Sequence, residues 1–176
     1  MNYKLVDNRI EFTDEKLTEN STNMISVIST YKFTKYMEQM PDGISILRSN
    51  ETRYTKLDVK NKYLQGVIYM PSKKDIFNHT RFGYLIFNRN ILFIDSSDTV
   101  INIIEQLRHS SIDMPTIWKF YYHFLNMLID RDLLYLQDIE NSLSTFENNL
   151  LDGGIDEYNQ RDIIYIRKKL FNQYRF

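Results

Sequence analysis

Between Tyr84 and Ile94 the chain is apolar at every position except Asn88-Arg89-Asn90. Short runs apolar on both faces predict two strands lying centrally in a sheet, with a layer on each side. The Asn residues tolerate the positive φ that a tight hairpin needs. Upstream, Tyr3–Val6 and Ile10–Thr13 flank the turn signal Asp7-Asn8 and predict a short hairpin. Met24–Ile28 and Tyr63–Met70 read as strands, Arg53–Val59 as an alternating strand and Ile44–Leu47 as a weak one. Ser29 or Thr30 can cap a helix whose apolar face is Phe33, Tyr36, Met37 and Met40, ended by Pro41-Asp42-Gly43. A polar loop is expected from Ser72 to Thr80. Ser97 or Asp98 is expected to cap a further helix with Val100, Ile101, Ile104 and Leu107 inward.

From Pro115 the period changes to steps of three and four: Trp118, Tyr122, Leu125, Ile129, Leu133, Leu136, Ile139, Leu143, Phe146, Leu150. That spacing keeps one stripe along one long helix. Before Leu136, residues Ile117, Phe120, Tyr121, Phe124 and Leu128 fill the other faces, so this half is expected in a core, Trp118 and His123 included. After Leu136 the positions off the stripe are polar, so the second half is expected to project with one seam covered. Gly153-Gly154 supplies a C-cap and turn. Asp156 can cap a last helix with Ile163, Ile166, Leu170 and Tyr174 on its apolar side. The order predicts an α+β protein: an α/β/α sandwich over residues 1–113, with a mixed sheet and helices on both faces, then a long antiparallel helical hairpin over 114–176.

Composition sharpens this picture. The chain has 176 residues, 43% apolar, which is enough for a substantial core and argues against disorder. It has no Cys, so thiolate chemistry and disulfides are excluded. It also has no Ala, so its helices must draw stability from packing rather than intrinsic propensity. The net charge of −1 argues against a general nucleic-acid or anionic-membrane binder. No run has the length of uncharged apolar residues a membrane helix needs, and the N-terminus lacks the apolar core of a signal peptide.

Charge is unevenly distributed. Residues 128–162 carry nine acidic side chains against two basic ones, whereas residues 163–176 carry four basic and no acidic ones. The acidic block reads either as a solvated helix face or as a site of weak coordination of hard divalent cations by carboxylates and water. Nothing has the spacing of an EF-hand. The three His (His79, His109, His123) lack ligand spacing, and no P-loop, G-x-G-x-x-G or G-x-S-x-G is present, so an enzyme is not expected.

The segment from Leu133 to Leu150, Leu-Leu-Tyr-Leu-Gln-Asp-Ile-Glu-Asn-Ser-Leu-Ser-Thr-Phe-Glu-Asn-Asn-Leu, resembles the D-Y-x3-L-x-x-I-E-x2-L-x2-L-E segment of the CorA family of magnesium and cobalt transporters. Ile163–Leu170 and the following Tyr174-Arg175-Phe176 are similar to the start of that family's stalk helix. Phe82–Ile94 resembles the hairpin before its helical part, and Pro115 with Leu125–Asp130 resembles its P-x2-L…L-(L/I)-D pattern. The resemblance covers residues 60–176. It implies the N-terminal cytoplasmic domain of a pentameric transporter, reaching the membrane only through two helices and a Gly-Met-Asn motif beyond this chain.

The function so implied is a cytosolic, non-catalytic domain for regulation and assembly, which senses divalent cations and contributes to gating. The expected metal is Mg²⁺, weakly held, or Co²⁺, at Asp130, Asp132, Asp138 and Glu140. The expected place is the cytoplasmic face of the cell membrane, this portion being soluble. The sequence departs from the family where a body carboxylate is expected: Ile46–Leu47 carry no charge, and Asp42 is the nearest acid. The alternative is a standalone helical module that pairs with a protein partner through its hairpin.

Overall fold

The computed structural model describes residues 1–18, 20–37, 55–71, 79–130, 132–153 and 157–174. The strands are β1 (Asn2–Val6), β2 (Arg9–Phe12), β3 (Met24–Ile28), β4 (Lys56–Val59), β5 (Tyr63–Pro71), β6 (His79–Phe87) and β7 (Asn90–Ile94). The helices are α1 (Thr30–Met37), α2 (Thr99–His109), α3 (Ile117–Ile129), α4 (Asp132–Gly153) and α5 (Glu157–Tyr174). Among the described residues the strands form one sheet in the order β2-β1-β3-β7-β6-β5-β4. It is mixed: β3 and β7 pair in parallel, with Ile25 opposite Ile91 and Val27 opposite Phe93, while β1–β2, β1–β3, β4–β5 and β6–β7 are antiparallel. The fold is α+β.

The expected central hairpin is β6–β7. All of β7 is buried. Alternate side chains go to opposite faces, and each face meets helices. Phe93 packs on Phe120 and Phe124 of α3, with ring centroids 6.4 and 4.7 Å away, and Phe82 joins Phe93 and Phe124. Tyr3 of β1 lies on this same face and donates a hydrogen bond to Glu105 of α2 (2.9 Å). On the opposite face Leu92 and Ile94 cluster with Leu85, Met24, Leu17 and Phe33 of α1. The sheet therefore lies between α1 and the pair α2, α3.

The local chemistry of the turns is visible in the backbone. Asp7 and Asn8 (φ 46° and 65°) close β1–β2, and Asn88 and Arg89 (φ 46° and 63°) close β6–β7. Asn90, expected to share the second turn, instead begins β7 as a buried bracket. Its amide accepts from the Met24 N–H (3.0 Å) and donates to the carbonyls of Ser21 (2.6 Å) and Asn88 (3.3 Å). At β4 the edge position shows: Leu57 and Val59 are exposed, as suits a strand with one paired side.

Several expectations are corrected. Neither Ser97 nor Asp98 caps α2 with its side chain. Asp98 is left-handed (φ 59°) and makes no side-chain cap bond. Asp95 does the capping, accepting from the N–H groups of Ser97 (2.7 Å) and Val100 (2.8 Å). The inward face of α2 is Val100, Ile103, Ile104 and Leu107, with Ile101 only half-buried. Thr116 rather than Pro115 sets the start of α3, its Oγ1 accepting from the Lys119 N–H (3.1 Å). Strand β6 begins at His79, inside the loop expected to reach Thr80.

The single long helix is two, α3 ending at Ile129 and α4 opening at Asp132. An acidic residue at the start of a helix meets the positive end of its dipole, which favours a new start there. In α3 the buried line is Ile117, Phe120, Phe124, Leu128, and Trp118 and Tyr122 of the expected stripe are 53% and 54% exposed. Trp118 is not a core residue. The strand expected at Ile44–Leu47, the Pro41-Asp42-Gly43 stop, Met40, most of the 72–80 loop and the Asp156 cap lie outside the described residues.

The chain divides into two compact units. One comprises residues 1–69 and 80–128, and the other residues 70–79 and 129–176. The second contains the α4–α5 hairpin.

Candidate functional site: the acidic helix and its hairpin

Helices α4 and α5 are joined by three residues, 154–156. The Lys169 ammonium, late in α5, lies 5.7 Å from the ring centre of Tyr135, at the start of α4, and 4.6 Å from that of Tyr165. The two helices therefore run antiparallel, clamped at this end by a cation over two aromatic faces. Their mutual contact is marked by the residues each buries: Ile139 on α4 (3% exposed) and Ile166 on α5 (8%). Phe146, one stripe position further along α4, is half-buried. Within α4, Ser142 and Thr145 donate their hydroxyls back to the carbonyls of Asp138 (2.7 Å) and Asn141 (2.9 Å), which settles polar groups on the solvent side.

The expected metal residues are placed as follows. Asp130 is exposed in the turn after α3, and Asp132 opens α4 with its side chain outside those described. Asp138 and Glu140 are both exposed on α4 and flank Ile139 directly. At about 100° per residue, neighbours two apart in a helix diverge by most of a half-turn, so these two carboxylates leave the helix on opposite sides and do not share one cation. Among the described residues no three His, Asp or Glu side chains converge as an ion cage. What the acids can do is hold hydrated cations singly, through water, in the field of a helix without a basic residue of its own. A hydrated Mg²⁺, which gives up its waters reluctantly, fits that arrangement, whereas an ion demanding direct ligands does not.

The sandwich contains a second group of titratable side chains that sequence reasoning did not single out. The rings of Tyr84 and Tyr121 lie 5.3 Å apart. Burial pushes both hydroxyls above the ordinary tyrosine range, and their mutual hydrogen bond raises Tyr121 further while pulling Tyr84 back. Both are neutral phenols at physiological pH and offer no base. Gly66 on β5 makes room for Tyr84: a Cβ there would stand 2.5 Å from the Tyr84 Oη and 2.7 Å from the Lys56 carbonyl. His123 is half-buried, edge-on to Tyr122 at 5.2 Å. Its Nε2 is buried with no hydrogen-bond partner among the described residues.

No protein-family model matches the chain, and no curated protein matches it by sequence. Solved structures match it over almost its whole length. The complete CorA magnesium transporter from Methanocaldococcus jannaschii superposes with a TM-score of 0.68 at 19% identity, over 97% of this chain and 56% of that one. The full-length CmaX protein gives 0.67 at 14% identity, over 99% of this chain and 58% of that one. The cytoplasmic domain of ZntB from Vibrio parahaemolyticus gives 0.67 at 13% identity, over 99% of this chain and 72% of that domain. The chain thus has the fold of a CorA-like soluble domain and spans a little over half the length of the complete proteins it resembles. Among the described residues no helix is long and apolar enough to cross a membrane.

Proposed function

We propose that this chain is the soluble, non-catalytic domain of a CorA-like divalent cation transporter, placed at the cytoplasmic face of the membrane. The observation that carries the reading is the fold shared over 97% of the chain with the CorA magnesium transporter. The acidic helix gives the domain a role. Asp138, Glu140 and Glu147 are exposed on α4, which has no basic residue. Divalent cations held there through water relieve the like-charge repulsion and so report their own concentration to the hairpin. In the assembled transporter that response biases gating. Mg²⁺ is the proposed ion, with Co²⁺ as a second. A standalone helical interaction module is the other reading, favoured by the apolar positions that α4 and α5 leave exposed.

The test is thermal. Water-mediated carboxylate sites lie at the weak end of oxygen-ligand affinity, with Kd on the order of a millimolar. At ten times Kd, binding to the folded state alone stabilises by ~1.4 kcal/mol, enough to raise the melting temperature by a few degrees. MgCl₂ and NaCl are compared at equal ionic strength, which removes simple screening. MgCl₂ is expected to raise the melting temperature further than NaCl, and Asp130→Asn with Asp138→Asn to shrink that difference. Equal protection by NaCl, or an unchanged Mg²⁺ effect in the double variant, leaves α4 a solvated face and removes cation sensing from the reading.

A further inference from the structure

Strand β4 closes one end of the sheet, and among the described residues nothing pairs with its outer edge. The Lys60 N–H donates to the Tyr63 carbonyl (2.9 Å), so these two residues form a hydrogen-bonded pair. Bonded and unbonded pairs alternate along an antiparallel ladder. Asp58 with Gln65 and Lys56 with Val67 are therefore bonded pairs too, whereas Leu57 opposite Gly66 and Val59 opposite Leu64 are not. The backbone N–H and C=O groups of Leu57 and Val59 accordingly point away from β5. The side chains of the same two residues stand on one face of the sheet and are 56% and 69% exposed. The edge thus offers open donors, open acceptors and two apolar side chains at the spacing of a strand. Its charge is one-sided. Lys56 and Lys60, and Lys62 in the turn that follows, are all exposed. The one acid, Asp58, is half-buried and already engaged by Gln65 (3.2 Å) and Lys60 (3.2 Å).

We propose that β4 docks an extended segment of a partner protein, one that alternates acidic with apolar residues and joins the sheet as a further strand. The segment's backbone takes up the open N–H and C=O groups of Leu57 and Val59, the mode of recognition in which a peptide extends an exposed sheet edge. Its apolar side chains rest on Leu57 and Val59. Its acids, on the other face, meet Lys56 and Lys60, with Lys62 beside them. Charge is what chooses the occupant. A second copy laid fully over the same edge would set Lys56 against Lys60 and Asp58 against Asp58, like charges directly opposite each other. Lysines so placed guard an edge against its own kind, and the same lysines attract an acidic strand. The proposal stands apart from the transporter reading and needs neither the hairpin nor a metal.

The probe is a short dye-labelled peptide alternating Glu with Val, blocked at both ends, titrated with the whole chain and read by fluorescence anisotropy. It is expected to bind with Kd on the order of 100 µM and to weaken with salt. A peptide alternating Lys with Val is expected to bind about tenfold more weakly. Lys56→Glu with Lys62→Glu should reverse that preference; Lys60, which holds Asp58, stays in place. Two further measurements separate an added strand from a loose encounter of charges. N-methylation of the valines removes the peptide donors that face β4 and should weaken binding about tenfold. Val59→Pro removes an outward N–H at an edge position, where proline is tolerated, and should do the same, with circular dichroism checking that the fold is kept. In hydrogen exchange the Leu57 and Val59 amides should slow when the Glu–Val peptide is added. No binding of that peptide, equal binding of the two peptides, or an N-methylated peptide that binds as tightly as its parent overturns the proposal. So does slowing of the Leu57 and Val59 amides with protein concentration alone, which would make the occupant a second copy.

Discussion

Phe93 in the sandwich and Ile139 in the hairpin are buried almost equally, at 0% and 3% exposure, yet their surroundings differ in kind. Phe93 has Phe82, Phe120 and Phe124 around it and sits in a strand with a paired neighbour on each side. Ile139 sits on a contact line about one residue wide, between the exposed Leu136 and Leu143. The sandwich buries both faces of its central strands within itself, although Leu57 and Val59 at its edge and Trp118 and Tyr122 on the outer side of α3 stay exposed. The hairpin covers one line and leaves another open. A region that completes its own core can be an independent scaffold, whereas a region that stops short is shaped for something outside the chain.

The largest effect expected from this contrast is on stability. Phe93→Ala removes a ring from a closed aromatic cluster that cannot collapse around the void, and should cost about 3–5 kcal/mol in chemical denaturation. Ile139→Ala opens a gap beside solvent, where neighbours can settle, and should cost about 2 kcal/mol. An Ile139→Ala cost as large as that of Phe93→Ala would break the comparison, because the hairpin would then hold a core of its own.

A smaller effect concerns how the sandwich ties α2 to β1. Burial alone would raise the Glu105 carboxyl, but hydrogen bonds from Tyr3 and Arg108 outweigh it and hold the group below its usual range. Burial, with the Glu105 bond behind it, pushes Tyr3 up from 10.0 to about 12. A lowered carboxyl stabilises above its unfolded value and loses that contribution as pH falls through the lowered one. A raised phenol stabilises below its unfolded value and loses that contribution as pH climbs through the raised one. Tyr3→Phe should therefore cost about 1 kcal/mol at neutral pH. The gap from the parent should close as pH falls below 4.5 and as it rises from 10.0 towards about 12. A gap that stays constant across that range would mean the loss is one of packing, with no contribution from the hydrogen bond.

How far the sequence reveals this molecule depends on whether a feature is local. The β6–β7 hairpin is legible because both of its strands are apolar on both faces, and the β1–β2 turn because Asp7-Asn8 adopts the positive φ such residues tolerate. The parallel pairing of β3 with β7 is not legible, since it joins segments over sixty residues apart that share nothing but apolarity. The Asp95 cap was missed because it reaches the Val100 N–H across five residues rather than the usual two or three. The core placement of Trp118 fails because residues 117–129 carry two apolar stripes, Ile117-Phe120-Phe124-Leu128 and Trp118-Tyr122-Leu125-Ile129, and apolarity alone does not say which one packs on the sheet. At the candidate site the acids were legible by composition. Their divergence around Ile139 was not, because it depends on which line of α4 faces α5.

The central claim is that the sandwich buries both faces of its central strands within itself and the hairpin buries only one line, and hydrogen exchange measured across a dilution series tests it most directly. Amides of β3 and β7 should be the slowest in the chain and insensitive to protein concentration. Amides of α4 and α5 should exchange much faster in dilute protein, through local opening, and slow as concentration rises and the open face is covered. If the α4 and α5 amides are as protected as those of β7 in dilute protein, and do not respond to concentration, the hairpin is complete in itself and the account is contradicted.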